Sequence, residues 1–135
     1  MFERFRFTTV QIDNYRRSAQ RDLMIAQKSD IADVAFRFSY DALLKLATAV
    51  CAYKSLRVKA RQGHQIELIK KLSEIMTDSE IEVVGNQMRA KRNWDMYGGG
   101  ALISKKEAKE YSDWAAQVFT KVQELIDGKS QQLKP

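Results

Sequence analysis

The feature that most restricts the fold is the near absence of residues that end helices. The chain of 135 residues has one proline, Pro135 at its end, and six glycines, three of which are consecutive at residues 98–100. Glycine and proline are the residues least compatible with a helix interior, so long stretches without them can remain helical. Hydrophobic residues make up 44% and charged residues 30% of the chain, as in globular proteins. We therefore predict one all-α domain.

Three capping boxes and the spacing of apolar residues divide the chain into helices. A Thr or Ser followed three residues later by Gln or Glu occurs at Thr8, Thr77 and Ser104. Apolar residues at helical spacing follow each of them. The predicted helices cover residues 8–28, 31–61, 64–76, 77–96 and 104–127.

Short connections between these segments favour helices that alternate in direction. We predict an antiparallel up-and-down bundle of about five helices. The helical domain is assigned to residues 9–127, with residues 1–8 as an N-terminal extension and residues 128–135 as a flexible C-terminal tail.

Several function classes are disfavoured by composition. Cys51 and His64 are the only residues of their kinds, so no soft-ligand metal cluster and no intramolecular disulfide are expected. The sequence contains no phosphate-binding loop and no dinucleotide fingerprint, so we expect no cofactor. No apolar segment is long enough to span a membrane, and the N-terminus lacks the apolar core of a signal peptide. We expect a cytoplasmic protein that does not bind membranes.

The charge balance favours partners that carry phosphate. The chain has 23 Lys and Arg against 17 Asp and Glu, a net charge of +6. A modest positive charge also serves solubility, so charge alone does not decide between these interpretations. A second basic group, at Lys54, Arg57, Lys59 and Arg61, follows the long apolar segment, and the interpretation favoured there is solvation and the helix dipole.

The most unusual stretch is residues 88–100, MRAKRNWDMYGGG. Arg89 and Arg92 are three residues apart, so they can converge on one anion from adjoining helix faces. A guanidinium matches two phosphate oxygens at once, which an ammonium does not. Asn93 adds a neutral donor and acceptor, and Tyr97 follows where the glycines end the helix. The competing interpretation is structural, because a helix C-terminus attracts Arg and Lys through its partial negative charge.

The order of these segments resembles the HEPN domain family (higher eukaryotes and prokaryotes nucleotide-binding) over roughly residues 9–127. The resemblance lies in residues 36–72, FRFSYDALLKLATAVCAYKSLRVKARQGHQIELIKKL, with Gly63-His64-Gln65 within them, and in residues 89–97, which read R-x-x-R-N-x-x-x-Y. In that family an Arg, a polar residue such as Asn and a later His form the signature. Carried over to this sequence, the signature is Arg92, Asn93 and Tyr97, with Tyr97 where the family has His.

The resemblance implies a function in RNA chemistry. Many HEPN proteins are metal-independent ribonucleases, and several are toxins paired with a small nucleotidyltransferase antitoxin. Their protomers pair so that both motifs line one cleft, which implies a homodimer here. Arg92, Asn93 and Tyr97 are then the expected catalytic residues, while Arg89 and Lys91 are expected to bind phosphate or RNA.

Tyr97 leaves two hypotheses open. A phenol with a pKa of ~10 is a poor base at neutral pH, although it can still donate a proton or a hydrogen bond. The first hypothesis is a metal-independent endoribonuclease of a toxin-antitoxin or defence system. The alternative is a non-catalytic HEPN dimer that binds nucleotide or docks a nucleotidyltransferase partner. A purely structural helical bundle is a third reading of the same residues.

Overall fold

A computed structural model of the protein describes residues 2–59, 63–97 and 103–132, apart from the side chains of residues 94–97 and 129–132. Within these residues the chain forms five helices and two short strands. In chain order they are β1 (Phe2–Arg4), α1 (Thr9–Lys28), α2 (Ala32–Tyr53), β2 (Leu56–Val58), α3 (His64–Met76), α4 (Ser79–Tyr97) and α5 (Lys105–Gln132). The prediction of an all-α bundle is confirmed. The last helix, α5, continues five residues past the predicted end of the domain at residue 127.

Two of the predicted capping boxes are formed. The Thr8 hydroxyl accepts the Gln11 backbone N–H at 3.1 Å, and the Gln11 side chain accepts the Thr8 N–H at 2.9 Å. At the start of α5, the Ser104 hydroxyl accepts the Glu107 backbone N–H at 3.0 Å. Both boxes satisfy backbone donors that have no partner within the helix.

The third predicted cap, at Thr77, is wrong. Thr77 adopts a left-handed conformation, with φ of 52°, and ends α3. The next residue caps α4 instead, because the Asp78 carboxylate accepts the Glu80 backbone N–H at 3.1 Å. A β-branched residue rarely adopts a left-handed conformation, and here the tight turn between α3 and α4 imposes it on Thr77.

The second helix is shorter than predicted. It ends at Tyr53 and not near Arg61, because Ser55 takes a positive φ of 60° and redirects the chain into β2. Strand β2 pairs antiparallel with β1, with Glu3 opposite Arg57. No pattern in the sequence indicates this pairing, since each strand has three residues and its partner lies about fifty residues away along the chain.

Adjacent helices mostly alternate in direction. Helices α1 and α2 form a hairpin through residues 29–31, and α3 and α4 form one through residues 77–78. Helices α4 and α5 are also antiparallel. The Trp114 indole donates to Glu80 at 2.8 Å near the start of α4, whereas Lys91 near its end contacts Glu107 at the start of α5.

Helices α2 and α3 depart from this alternation and run in the same direction. Tyr40 in the first half of α2 contacts Gln65 at the start of α3, and Cys51 near the end of α2 is within electrostatic reach of Lys71. The connection that contains β2 is long enough to return the chain before α3 begins. This parallel pairing places the start of α3 beside the first half of α2.

Helix α2 forms the centre of the core. The largest fully buried side chains include Tyr40, Leu43 and Leu46 from α2, Ile69 and Leu72 from α3, Ile81 and Met88 from α4, and Val122 from α5. Gly85 lets α4 approach α3 closely, because a Cβ at this position would lie 2.6 Å from the Ile69 methyl group. That close approach brings the second half of α4 against α2 and α3. In the part of the chain that the structure describes, no helix combines the length and apolarity needed to cross a membrane.

Candidate functional site

The candidate site lies where α2, α3 and α4 meet. The guanidinium carbon of Arg92, on α4, is 5.9 Å from the centre of the Tyr40 ring, on α2. Tyr40 is completely buried, and its hydroxyl donates a hydrogen bond of 2.8 Å to the side-chain oxygen of Gln65, on α3. The resemblance singled out Arg92 and Gln65, and the structure brings them to the two sides of one aromatic ring.

Arg92 is the most informative residue of this site. Its Nε atom is buried, and no hydrogen-bond acceptor for it exists among the described residues. Those residues also provide no carboxylate within ion-pair distance of its guanidinium group. A buried donor without an acceptor costs about 1–3 kcal/mol of folding free energy. The ring of Tyr40 compensates only in part, since a cation–π contact provides about 0.5–2 kcal/mol and no acceptor for the N–H.

Arg89, like Arg92, lies within electrostatic reach of the Tyr40 hydroxyl. The positive charges of both arginines lower the pKa of the Tyr40 phenol, but burial outweighs them and raises that pKa to about 12. Among the described residues, Arg89 makes one long side-chain hydrogen bond, of 3.4 Å to Asn86. Both guanidinium groups affect the same phenol, while their convergence on one anion stays a prediction.

Asp41 is a site residue that the sequence patterns did not indicate. Its carboxyl group is partly buried, and burial raises its pKa, while Asp22 raises it further. Arg92, Lys45 and Arg37 act in the opposite direction, and Arg92 is the largest of these. Asp41 is adjacent to Tyr40 on α2, so its place beside α4 depends on tertiary packing, for which a single sequence carries no signal.

Lys91 does not join the two arginines. Its ammonium group contacts the Glu107 carboxylate at 2.6 Å and lies 5.5 Å from the centre of the Tyr111 ring, both on α5. The hydrogen bond to Glu107 is the main reason that the pKa of Lys91 is raised. Successive helix residues differ by about 100° in direction, so Lys91 faces α5 while Arg92 faces α2.

The remaining predicted site residues lie at the end of α4. Asn93 is exposed, one residue beyond Arg92. The backbone of Tyr97 ends the helix, but its side chain lies outside the described part of the structure, as does that of Asp95. The glycines at residues 98–100, predicted to end this helix, are also outside the described residues. The role assigned to Tyr97 stays a prediction.

The second basic group contains an arginine that makes a useful contrast. Arg57 on β2 also stacks on an aromatic ring, with its guanidinium carbon 4.2 Å from the centre of the Phe5 ring. In addition, its Nε donates to the Glu3 carboxylate at 2.8 Å. Arg57 is thus paired within the fold, and Arg61 of the same group lies outside the described residues.

The chemistry of the site is indicated by its own residues. Comparisons of this chain with protein-family models, curated proteins and solved structures found no match. The described residues contain no group of three or more His, Cys, Asp or Glu side chains placed to hold a metal ion. What the geometry offers is two guanidinium groups within electrostatic reach of one phenol that is fixed by Gln65.

Proposed function

We propose that the protein is a HEPN-like RNA- or nucleotide-binding protein whose phosphate site is formed by Arg92 and Arg89. The observation that carries the proposal is the buried Nε of Arg92, which lacks an acceptor in the described fold. A phosphate oxygen supplies that acceptor, and a guanidinium contacts two phosphate oxygens at once. The net charge of +6 favours the approach of a polyanion.

The neighbours of Arg92 support this use. Tyr40 is held in one orientation by its hydrogen bond to Gln65, so the ring forms a fixed surface beneath the guanidinium group. A side chain that is already ordered loses less entropy when a ligand binds. Arg89 adds a second positive charge within electrostatic reach of the same phenol, and in the proposed homodimer two such sites follow one RNA backbone.

The competing interpretation, in which the helix dipole alone stabilises these arginines, does not explain the burial of the Arg92 Nε. A cation at a helix C-terminus is stabilised by the helix dipole even when it is fully exposed. That effect does not require a buried Nε, nor does it offset the cost of leaving the atom without an acceptor. Burial without pairing is expected where a ligand completes the site.

Fluorescence anisotropy with a labelled single-stranded RNA tests the proposal. We expect Arg92→Gln to weaken binding about tenfold, and to reduce the slope of log affinity against log salt concentration by about one. Arg57→Gln is the matched control, because it removes the same charge from an arginine that also stacks on a ring but is paired with Glu3. Equal affinities for the wild type and Arg92→Gln, or equal losses in both variants, would refute the phosphate site.

Metal-independent RNA cleavage is the second candidate function. The observation that favours it is Asp41, a partly buried carboxyl group of raised pKa within electrostatic reach of Arg92. In such a reaction the 2′-hydroxyl attacks the adjacent phosphorus, a base accepts the hydroxyl proton, and Arg92 stabilises the charge on the phosphorane. The bond from phosphorus to the 5′-oxygen then breaks, and that oxygen takes up a proton from an acid, which leaves a 2′,3′-cyclic phosphate and a 5′-hydroxyl. Asn93 and Tyr97, together with the motif of a second protomer, remain the proposed partners of Arg92 in catalysis.

Incubation with RNA in the presence of a chelator separates the two functions. If the protein cleaves RNA, we expect a 5′-hydroxyl product from the wild type, and none from Arg92→Ala or Tyr97→Phe. Binding without any cleavage supports the non-catalytic dimer. In that case, docking of a small nucleotidyltransferase becomes the preferred role, and the Tyr97 hydroxyl is the proposed acceptor of the nucleotidyl group.

A further inference from the structure

The outer face of α1 carries an apolar groove that the bundle leaves uncovered. The groove has a volume of about 700 Å³, and its lining includes Arg17, Arg21, Met24, Ile25, Lys28 and Val34. Met24 and Ile25 are 49% and 37% exposed. Exposed apolar surface of this kind, bordered by polar residues, is typical of a site where another molecule docks.

The border of the groove is cationic. Arg17, Arg21 and Lys28 line it, and no carboxylate is among the described residues that do. Arg17 is 2.9 Å from Asp13, and Arg21 is 3.7 Å from the buried Asp22, and neither of these carboxylates lines the groove. The complementary surface is therefore apolar at its centre and acidic at its edges.

The shape of the groove favours a helix as the occupant. Its α1 residues recur every three or four positions from Arg17 to Lys28, which corresponds to a stripe about 16 Å long. Side chains in such rows form grooves that accept the ridge of a second helix. A lipid bilayer is a poorer match, because the exposed apolar side chains on the groove lining are Met24 and Ile25, a narrow apolar face compared with that of a membrane-binding helix.

We propose that this groove binds an acidic amphipathic helix of a partner protein. Apolar side chains of that helix cover Met24 and Ile25, while its carboxylates meet Arg17, Arg21 and Lys28. A second copy of this chain is a less suitable occupant, since twofold pairing of two α1 faces brings like charges together. The groove involves α1 and Val34 of α2, so the proposal does not depend on the site around Arg92.

The probe for this surface is a pair of synthetic helical peptides about three turns long. Both have Leu at every third and fourth position, and they differ in carrying either Glu or Lys at the remaining positions. We expect the Glu peptide alone to bind, as measured by fluorescence anisotropy. The variant Met24→Gln, and the double variant Arg21→Gln/Lys28→Gln, are each expected to weaken that binding about tenfold.

Two matched variants serve as controls. Val83→Gln removes an apolar side chain that is 57% exposed on α4, and Lys70→Gln/Lys106→Gln removes two exposed cations of α3 and α5. Both are expected to bind the Glu peptide as the wild type does. The proposal is overturned if the Lys peptide binds equally well, or if the control and groove variants lose the same affinity.

Two further outcomes overturn the choice of occupant. If Met24→Gln lowers the sedimentation coefficient of the protein alone, the groove is an interface between copies of this chain. If the Glu peptide fails while vesicles of phosphatidylcholine and phosphatidylserine bind the wild type and not Met24→Gln, the occupant is a membrane surface. RNA binding by the groove variants is expected to match the wild type, so failure here is distinguishable from failure of the phosphate site.

Discussion

Charged side chains of α1 and of α4 are buried against two sides of helix α2, and only one of the two sides provides a partner for the charge. Toward α1, the carboxylate of Asp22 is 1% exposed and lies 2.7 Å from the ammonium group of Lys45. This contact is an ion pair, although it lacks the geometry of a directed hydrogen bond. Toward α4, the Nε of Arg92 is buried against Tyr40 with no acceptor among the described residues. The first charge is neutralised by the fold, and the second retains a donor for a ligand.

Asp41 lies between these two sides and is affected by both. Arg92 and Lys45 lower the pKa of its carboxyl group, and Asp22 raises it. Charged groups on both sides of α2 therefore act on Asp41. The difference between the paired Asp22 and the unpaired Nε of Arg92 can be tested by measurements of stability as well as of binding.

The largest effect is expected from Lys45→Met, which removes the nearer counter-ion of the buried Asp22 carboxylate and leaves only the longer contact with the exposed Arg21. Breaking one member of a buried pair is expected to lower the free energy of unfolding by about 3 kcal/mol. Urea denaturation measures this loss. The double variant Asp22→Asn/Lys45→Met is expected to recover most of the stability. An unchanged free energy of unfolding in Lys45→Met would show that Lys45 does not neutralise the buried Asp22.

Arg92→Met is expected to change stability in the opposite direction. It removes a buried donor that lacks an acceptor and keeps an apolar side chain beside Tyr40, so the free energy of unfolding rises by about 1 kcal/mol. RNA binding is expected to weaken about tenfold in the same variant, as in Arg92→Gln. Arg57→Met, in which a half-exposed ion pair is broken, is the control and lowers stability by less than about 1 kcal/mol.

A clear loss of stability in Arg92→Met would contradict the inference that the fold leaves Arg92 available for a ligand. It would mean that the guanidinium group holds α4 against α2 as part of the fold. Urea denaturation of wild type and variant under identical conditions decides between these outcomes.

The smallest effect concerns the alkaline titration of Tyr40. Because the pKa of this phenol is raised to about 12 in the fold, its contribution to stability is complete below about pH 10. That contribution is lost as the pH rises toward 12, since the unfolded chain then releases the proton first. Tyrosinate absorbance is expected to show a step near pH 12 that is missing in Tyr40→Phe.

The two sides of α2 are expected to affect this step differently. Arg92 is among the charges that lower the pKa of Tyr40, so Arg92→Met shifts the step to higher pH. Lys45→Met is expected to leave it in place. An equal shift in both variants would show that Tyr40 responds to the overall charge of the protein and not to the arginines beside it.

Local features were the ones that the sequence predicted well. The boxes at Thr8 and Ser104 and the full extent of α3 depend on contacts within one helical turn, and they are confirmed. The strand pairing of β2 was missed because its partner is distant in the chain, and Thr77 was misassigned because two adjacent helices compete for it. Of the candidate site, Arg89 and Arg92 were found by helical spacing, whereas Tyr40 and Asp41 reach them only through packing.

The sequence by itself determined the five helices, two of their caps, the excess of positive charge and the spacing that puts Arg89 and Arg92 on adjoining faces. Only the tertiary structure decided what surrounds each charge. Gly85 lets α4 lie close to α3, which places Arg92 over Tyr40 and turns Lys91 toward Glu107. The reason is physical: helix formation depends on neighbours a few residues away, but the partner of a buried charge is set by side chains from helices that are distant in the chain.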